Sequence, residues 1–590
     1  GPILAMTVVL IAVYLPIGFM GGLTGALFTE FAYTLAGAVL VSAIVALTLS
    51  PMMCSRILTE PDPDRRHRFT DFIDRQFNRL RDGYTTLLKG ALNALPVVVV
   101  FAVIILASNY FLFIHSNSEL APQDDQGFMM GMLTAAPDAS LAQTRMYSQQ
   151  MFDLLKDIPE IDHLFQVEGF TGLNSGFTGV VLKPWDQRDR TAQMLQADLQ
   201  EKVSGIAGAS AVLFQPPPLP GTGNGLPVQF VIGTTDSFAR LDEVSQTFKQ
   251  EALKSGLFMY VDTDLKIDKP QAALEVDRDK AAQLGLTMQD IGAAMAHMLG
   301  GGHVNYFSMS GRSYKVIPQV RQSERLTPEQ LMNYSIRTAG GDSVPVSTFA
   351  TLKTQAVPVS INHFQQLNSS TISGILSPGI TMGKALEDLR AIAGRVLPEG
   401  YSIDYGGESR QYVKESSALL LTFAFAMIII FLCLAALFES FRDPIIVLVS
   451  VPMSICGALI FISLGVGEAS LNIYTEVGLV TLIGLISKHG ILIVQFANDQ
   501  QREGKAKREA IEQAAATRLR PILMTTAAMV LGVLPLVFAS GAGAAGRYNM
   551  GLVITTGIAI GTLFTLFVVP AMYLLLARDH GKVAKKTLTK

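Results

Sequence analysis

The sequence predicts a membrane α-helical bundle of about eight transmembrane helices that carries one large α+β domain of split βαβ modules. Three observations predict it. Of 590 residues, 49% are hydrophobic and only 16% charged, whereas ordinary soluble chains carry roughly 25% charged residues. Apolar runs of about 20 residues, the length a helix needs to cross a bilayer, recur along the chain. Between the third and fourth runs lies a long stretch of ordinary polarity, in which strand-like and helix-like apolar periods alternate.

The runs are residues 3–19, 31–53, 95–114, 418–437, 444–464, 477–497, 522–538 and 550–576. Each must be helical, because an open strand in lipid leaves backbone groups unpaired. The chain opens with Gly1-Pro2 inside an apolar run, without initiator Met or charged leader, so no signal peptide is read and a fragment beginning within a span is expected. Basic residues set the orientation. They gather after the second run (Arg56, a cluster at 65–68, Arg75, Arg79, Arg81, Lys89), between the sixth and seventh (Arg502, Lys505, Lys507, Arg508, Arg518, Arg520), and in the tail (Arg578, Lys582, Lys585, Lys586, Lys590). All three segments are expected to be cytoplasmic. The turns 21–30 and 465–470 carry no Lys or Arg, and 540–548 carries only Arg547. Alternating the runs satisfies every assignment and puts the large domain on the other side. Within 65–83, Phe69, Phe72, Ile73, Phe77 and Leu80 recur at helical spacing between arginines, which reads either as an amphipathic helix on the membrane face or as a solvated linker helix.

In the large domain, strands are expected at 126–135, 162–168, 177–183 and 211–215, with helices at 140–155 and 192–203. A second series follows: strand 227–234, helix 237–255 and strand 259–264, then strand 370–376, helix 382–396 and strand 401–405. Such α+β series read as split βαβ, ferredoxin-like modules. Residues 273–352, with their own helix at 288–298 and strand at 313–320, read as an insertion. The Pro-rich stretch 216–220, followed by Gly221, Gly223 and Gly225, punctuates the two modules.

Composition excludes several functions. A net charge of −3 and a pI near 6.3 offer no basic field for nucleic acid. Cys54, Cys433 and Cys456 are far apart, which fits neither a disulfide framework nor a metal cluster. No nucleophile or phosphate-loop motif stands out, so no enzyme and no cofactor is expected.

The informative residue is Lys488, in the middle of the sixth run. A charge at that depth costs roughly 2.5–3.5 kcal/mol or more and is usually paired and functional. Lys488 therefore demands an acidic partner, yet Glu30, Glu468 and Glu476 all sit near the ends of runs. Arg518 and Thr525, seven residues apart, share a helix face. Arg518 reads equally as a relay cation or as a cytoplasmic anchor, and Thr525 or Thr526 as a relay hydroxyl or as a group bonded back to its own helix. His489 reads as a packed neutral ring or as a titrating neighbour of Lys488.

The run GLISKHGILIVQF at 484–496, with RLRPILMT at 518–525, resembles the resistance–nodulation–division (RND) transporters, and most of all their hydrophobe/amphiphile, acriflavine-resistance-like efflux pumps. PIGFMGGLTG at 16–25, ALTLSP at 46–51, PQDDQG at 122–127, FLCLAALFES at 431–440 and GVLPL at 532–536 carry the same likeness. The resemblance implies a proton-driven antiporter of the bacterial inner membrane, working as a homotrimer with a periplasmic adaptor and an outer-membrane channel to export amphiphilic small molecules. It implies that Lys488 pairs with two adjacent aspartates on a span outside this sequence, with Arg518 and Thr525 in the same proton relay; His489, beside Lys488, is a further relay candidate of this sequence and not one the family supplies. It implies residues 1–58 as the last two helices of a first repeat, so that the first four helices are lacking; 59–92 as a connector; and 93–116 as the first helix of a second repeat. Residues 117–220 then form one porter subdomain, 221–272 with 353–411 a second, 273–352 a docking subdomain, 412–580 five helices and 581–590 a tail. Phe165, Phe170 and Phe214 fall where the family places pocket aromatics, and each also reads as an ordinary core residue. Gly169, Gly172 and Gly176 fall at a switch loop that is shorter here and poorer in Phe. His489 stands where Asn is common. Two other readings remain: a heavy-metal RND exporter using Met129, Met130 and Met132 as thioether ligands, and a non-pumping membrane assembly or translocation protein.

Overall fold

Long apolar stretches fold as helices at both ends of the chain, and the computed structural model describes residues 2–58, 68–223 and 225–579. The basic residues at 65, 66, 582, 585, 586 and 590 lie outside that set. Helices α1 (Pro2–Gly18) and α2 (Gly22–Ile57) come first. Only residues 19–21 part them, so most of the stretch expected as a turn at 21–30 is helix. The cause is local: Gly22 turns the chain at φ +74°, and Glu415 caps the new helix by accepting from Leu23 N (3.1 Å) and the Thr24 hydroxyl (2.5 Å). Helix α3 (Arg68–Asn93) runs past 83 to Asn93. Its Asp74 meets Arg520 at 3.2 Å, and its Tyr84 hydroxyl donates to Leu566 O at 2.7 Å. Helix α4 (Leu95–His115) leads into the large domain.

The first module runs β1 (Phe128–Ala135), α5 (Leu141–Leu155), β2 (Ile161–Glu168), β3 (Ser175–Leu182), α6 (Ala192–Ser204) and β4 (Ala209–Phe214). Ser140 and Thr191 cap its helices, accepting from Gln143 N and Met194 N. Its antiparallel sheet has the order β2-β3-β1-β4. One face is covered by α5 and α6 through Met129, Leu133, Met151, Leu155 and Leu199.

The second module starts with β5 (Val228–Thr234), α7 (Phe238–Lys254) and β6 (Phe258–Thr263). The chain then leaves through β7 (Lys269–Val276), α8 (Arg278–Gln283), α9 (Met288–Leu299), the hairpin β8 (Asn305–Met309) and β9 (Arg312–Val316), the short pair β10 (Ser335–Arg337) and β11 (Ser343–Pro345), and β12 (Ala350–Val357). β12 pairs with β7 along eight residues and so forms the neck of this excursion. After β13 (Asn362–Phe364), β14 (Leu367–Leu376), α10 (Met382–Val396) and β15 (Ser402–Tyr405) close the module. β14 pairs with both β6 and β5, and β15 with β5. The order β6-β14-β5-β15 therefore repeats that of the first module.

The remaining helices are α11 (Gly407–Phe438), the end-to-end pair α12 (Arg442–Leu448) and α13 (Ser450–Ser463), α14 (Ile473–Arg502), α15 (Lys507–Val537) and α16 (Ala544–Leu576). Asn472 caps α14, accepting from Tyr474 N and Thr475 N at 3.0 and 3.1 Å. Helix α14 is enclosed by α1, α13, α15 and α16 and is the most buried of the set. Small residues allow this packing: a Cβ placed on Gly561 would lie 2.5 Å from Ser454 Oγ. Seven helices among the described residues are long and apolar enough to cross a membrane, counting α12–α13 as one. The eighth expected, α1, is apolar but has 17 residues.

Candidate functional site

Lys488 lies halfway along α14, partly buried, with its Nζ 3.9 Å from Met529 Sδ. Among the described residues it has no ion-pair partner. His489 is fully buried. Its Nδ1 is 3.4 Å from Thr562 Oγ1, which is in turn 3.2 Å from Thr526 Oγ1. Its Nε2 is buried without a hydrogen-bond partner. A short polar chain thus crosses from α14 through α16 to α15. Thr526, rather than Thr525, belongs to it, because the Thr525 hydroxyl donates back to Ile522 O at 3.0 Å. Arg518 packs over the Phe496 ring at 4.6 Å, with its Nε buried and unbonded. Thr562 escaped sequence reasoning because it sits in an apolar run with no charge beside it.

The aromatic residues are sorted by strand register. Phe165 stands opposite Gly179, Gly179 opposite Met130, and Met130 opposite Phe214. Opposed residues of an antiparallel sheet point the same way, so this row shares the face turned away from α5 and α6. The next row is Val167, Phe177, Met132 and Val212. Phe165 and Phe170 both meet Phe177, with ring centroids 6.0 and 5.4 Å apart, and they are 47% and 62% exposed. Phe214 lies on the same face but is 3% exposed, packed with Ile375 of the second module. It is a contact between modules rather than part of the exposed cluster. Phe177, missed in the sequence, is the hub. Gly179 supplies the space for Phe165, since a Cβ there would lie 2.0 Å from the ring.

The same alternation removes the thioether site. Met129 points into the helix-covered core, fully buried, while Met130 and Met132 point to the opposite face. Three methionines in a strand cannot converge on one ion. Gly169 and Gly172 sit in the tight β2–β3 turn, where Ser175 Oγ accepts from Thr171 N and Gly172 N at 2.9 and 3.0 Å. Gly176 is not in the turn; it lies in β3 opposite Leu133.

The membrane bundle and the large domain are laced together. Leu471 N donates to Asn117 O (2.7 Å), Glu119 N to Leu471 O (3.0 Å) and Ile473 N to Leu120 O (3.2 Å). The start of α14 is thereby tied to the chain leading into β1. Asp124 accepts from Gly543 N and Ala545 N at the start of α16. Beside it, Asp125 forms a two-pronged pair with Arg188, both contacts 2.7 Å, and accepts from Ala192 N.

These features define a multi-pass helical membrane protein with a mid-membrane cation and a two-module domain joined to its helices by direct hydrogen bonds. The AcrB/AcrD/AcrF family matches residues 1–577, and the chain belongs to that family. An uncharacterized transporter of Haemophilus influenzae is 40% identical over 585 residues, covering 98% of this chain and 56% of that protein. The toluene efflux pump membrane transporter TtgB of Pseudomonas putida is 33% identical over 608 residues, 100% of this chain and 57% of its own length. The multidrug export protein AcrF of Escherichia coli is 30% identical over 594 residues, 98% and 57% respectively. The chain thus spans a little over half the length of these relatives.

Proposed function

We propose that this chain serves in a proton-driven antiporter that exports drugs or other amphiphilic compounds. In this reading it works as a homotrimer in the bacterial inner membrane, with the large domain in the periplasm, an adaptor protein beside it and an outer-membrane channel beyond. The single observation that carries the proposal is Lys488 in α14. An ammonium at that depth is too costly to keep for anchoring alone. Opposite a membrane carboxylate it becomes a switch: protonating the acid weakens the pair, and moving the cation changes the acid's proton affinity. The chain His489, Thr562 and Thr526 offers the next polar stations, with Arg518 toward the helix end. Movement of α14 would pull on the 117–120 segment and so on β1, whose sheet bears the Phe165, Phe170 and Phe177 cluster. An aromatic face suits varied apolar guests. The β2–β3 turn is the proposed switch element, and the excursion between β6 and β14 the docking element.

The test is export of a fluorescent amphiphilic dye from cells, with and without a protonophore. Lys488→Met keeps the length of the side chain and removes the charge. Loss of protonophore-sensitive export, with the variant present in the membrane at wild-type amount, is expected. Undiminished export by that variant would return the protein to the anchoring class.

A further inference from the structure

Residues 117–120 join the large domain to helices α11, α14 and α16. Besides the three backbone bonds with Leu471 and Ile473, Ser118 forms a parallel bridge with Leu471. Its carbonyl accepts from Gly383 N of α10 at 2.9 Å, and its hydroxyl accepts from the Tyr412 hydroxyl of α11 at 3.0 Å. Next to it, Glu119 accepts from the Ser470 hydroxyl. Behind that bond lies a knot of neutral groups. Asn472 Nδ2 donates to Ser470 O (3.1 Å) and Oγ (2.9 Å), and Ser470 N donates to Asn549 Oδ1 of α16 (3.3 Å). Ser470, Asn472 and Asn549 are all buried. The Glu119 carboxyl therefore sits inside the tie through which the membrane helices hold both modules.

The charges that act on this carboxyl are those of other acids. Glu468 stands at an exposed turn, and Glu408, in the first turn of α11, is 8% exposed and near enough for its charge and that of Glu119 to repel. Glu476 adds a further acid in the first turn of α14, and Asp124 is engaged at the start of α16. On the same elements, Lys384 of α10 bonds Asp388 at 3.1 Å, Arg410 of α11 lies over the Phe364 ring at 5.3 Å, and Arg547 of α16 donates to Ala542 O at 2.7 Å. Among the described residues Glu119 has no ion-pair partner. Enclosure by protein atoms pushes its carboxyl up to about 7, the Ser470 bond opposing and the Glu468 charge adding. We infer that Glu119 is a proton-binding site that latches the membrane helices to the large domain: protonated, it leaves the tie closed; ionised, it repels Glu408 and Glu468 and loosens the tie. An unpaired carboxylate enclosed beside like charges is costly, whereas a free glutamate ionises near 4.3. The closed tie thus binds the proton more tightly than the open one. Its stability is full below about 4.3 and is lost as pH rises through about 7. The latch stands at the domain end of α14, apart from Lys488 at its middle, and its operation does not depend on the export reading.

The test is hydrogen–deuterium exchange of the full chain in lipid nanodiscs from about pH 5 to 9, each rate divided by that of an unprotected amide at the same pH. Peptides carrying the Glu119, Leu471 and Ile473 amides report the latch, and peptides from β3 are the control. Each pH unit by which the enclosed carboxyl exceeds a free one is worth about tenfold in the latch equilibrium. Protection of the latch amides is therefore expected to fall about tenfold to a hundredfold between pH 5 and 8 and then level off, with β3 unchanged. Glu119→Gln cannot ionise and should give a flat profile. Glu468→Gln, at an exposed position that does not threaten folding, keeps the Glu119 carboxyl and removes one repelling charge, so the fall should move to lower pH. A thermal melt shows which variants are folded; if Glu119→Gln is not, the shift in Glu468→Gln decides. Latch protection in the wild type that does not change with pH, a fall of equal size in folded Glu119→Gln, or an unmoved fall in Glu468→Gln overturns the inference.

Discussion

Replacing Arg188 by Ala tests how the first module holds together. The Arg188 side chain is 2% exposed and that of Asp125 14%. Arg188 makes four hydrogen bonds: two to Asp125 at 2.7 Å, one from Nε to Lys183 O at 2.9 Å and one from Nη1 to Arg190 O at 3.1 Å. Removing it leaves a buried carboxylate with only backbone donors, Gly127 N at 3.0 Å and Ala192 N at 2.9 Å. Breaking a buried pair in this way typically costs about 3–5 kcal/mol, and the two remaining donors argue for the lower half of that range. The pH dependence gives a second handle. Burial alone would raise the Asp125 carboxyl, but the Arg188 bonds, then those from Ala192 and Gly127, outweigh it and hold it below the ordinary carboxylate range. A group depressed in the folded state stabilises fully above its unfolded value, about 3.9, and that stability is lost as pH falls through the lower folded value. Without Arg188 burial prevails and the sign reverses. The gap in stability between wild type and Arg188→Ala should therefore narrow as pH is lowered from 7 toward 4. The assay is thermal unfolding in detergent across that range, read by proteolysis of the large domain. A gap below about 1 kcal/mol at pH 7, or one that does not change with pH, would refute the reasoning.

Gly179→Ala should leave stability within about 1 kcal/mol, because the half-exposed Phe165 ring can swing aside, while shifting the affinity of aromatic dyes several-fold; a dye titration beside a melt checks both halves. Gly561→Ala has no such escape: its Cβ would sit 2.5 Å from Ser454 Oγ and 2.8 Å from Ser454 Cα, so α13 and α16 must part. A loss of about 1–3 kcal/mol is expected, and an unchanged melting temperature would count against this packing. His489→Asn should leave the fold intact and shift the pH profile of export; an unmoved profile would end the relay role for the imidazole.

The membrane helices were legible because lipid leaves so few options: length and apolarity nearly dictate a helix. The ends of the helices were not. The turn read at 21–30 shrank to three residues because Glu415, nearly 400 positions away, caps α2, and no local pattern announces a distant cap. The strands of the large domain were visible in their period of two. Which aromatics share a face was not, because that depends on register between strands far apart in sequence. Phe214 is separated from Phe165 by 49 residues, yet it lies in the same row across the sheet and is then buried by Ile375 of the other module. Lys488 could be picked out alone because its cost is intrinsic to its depth. Thr562 could not, and Thr526 could not be told from Thr525, since a hydroxyl in an apolar helix looks the same whether it bonds to its own backbone, as Thr525 does, or to a neighbouring helix.

The connection between the two halves limits how the proposed cycle can work. Lys488 is 17 residues from Leu471, about 25 Å along the axis of a helix, a distance over which a Coulomb interaction has fallen to a small part of its contact value. A helix, however, is stiff along its axis, and α14 ends in three backbone hydrogen bonds with residues 117–120 rather than in a free loop. Eight residues later the chain enters β1, the strand that pairs with both β3 and β4. A small axial shift of α14 therefore arrives at the middle of the sheet, not at its edge. Asp124 makes a second tie, to the start of α16, the helix that carries Thr562. The two ties grip different helices, and His489 and Thr562 face each other between those helices. If α14 and α16 move together, the domain is carried as a rigid body; if they slide past each other, residues 117–127 are twisted and the module rotates. The contact between His489 Nδ1 and Thr562 Oγ1, 3.4 Å, lies across the line of such sliding. Its loss in His489→Asn therefore bears on the coupling of membrane to domain as well as on the relay.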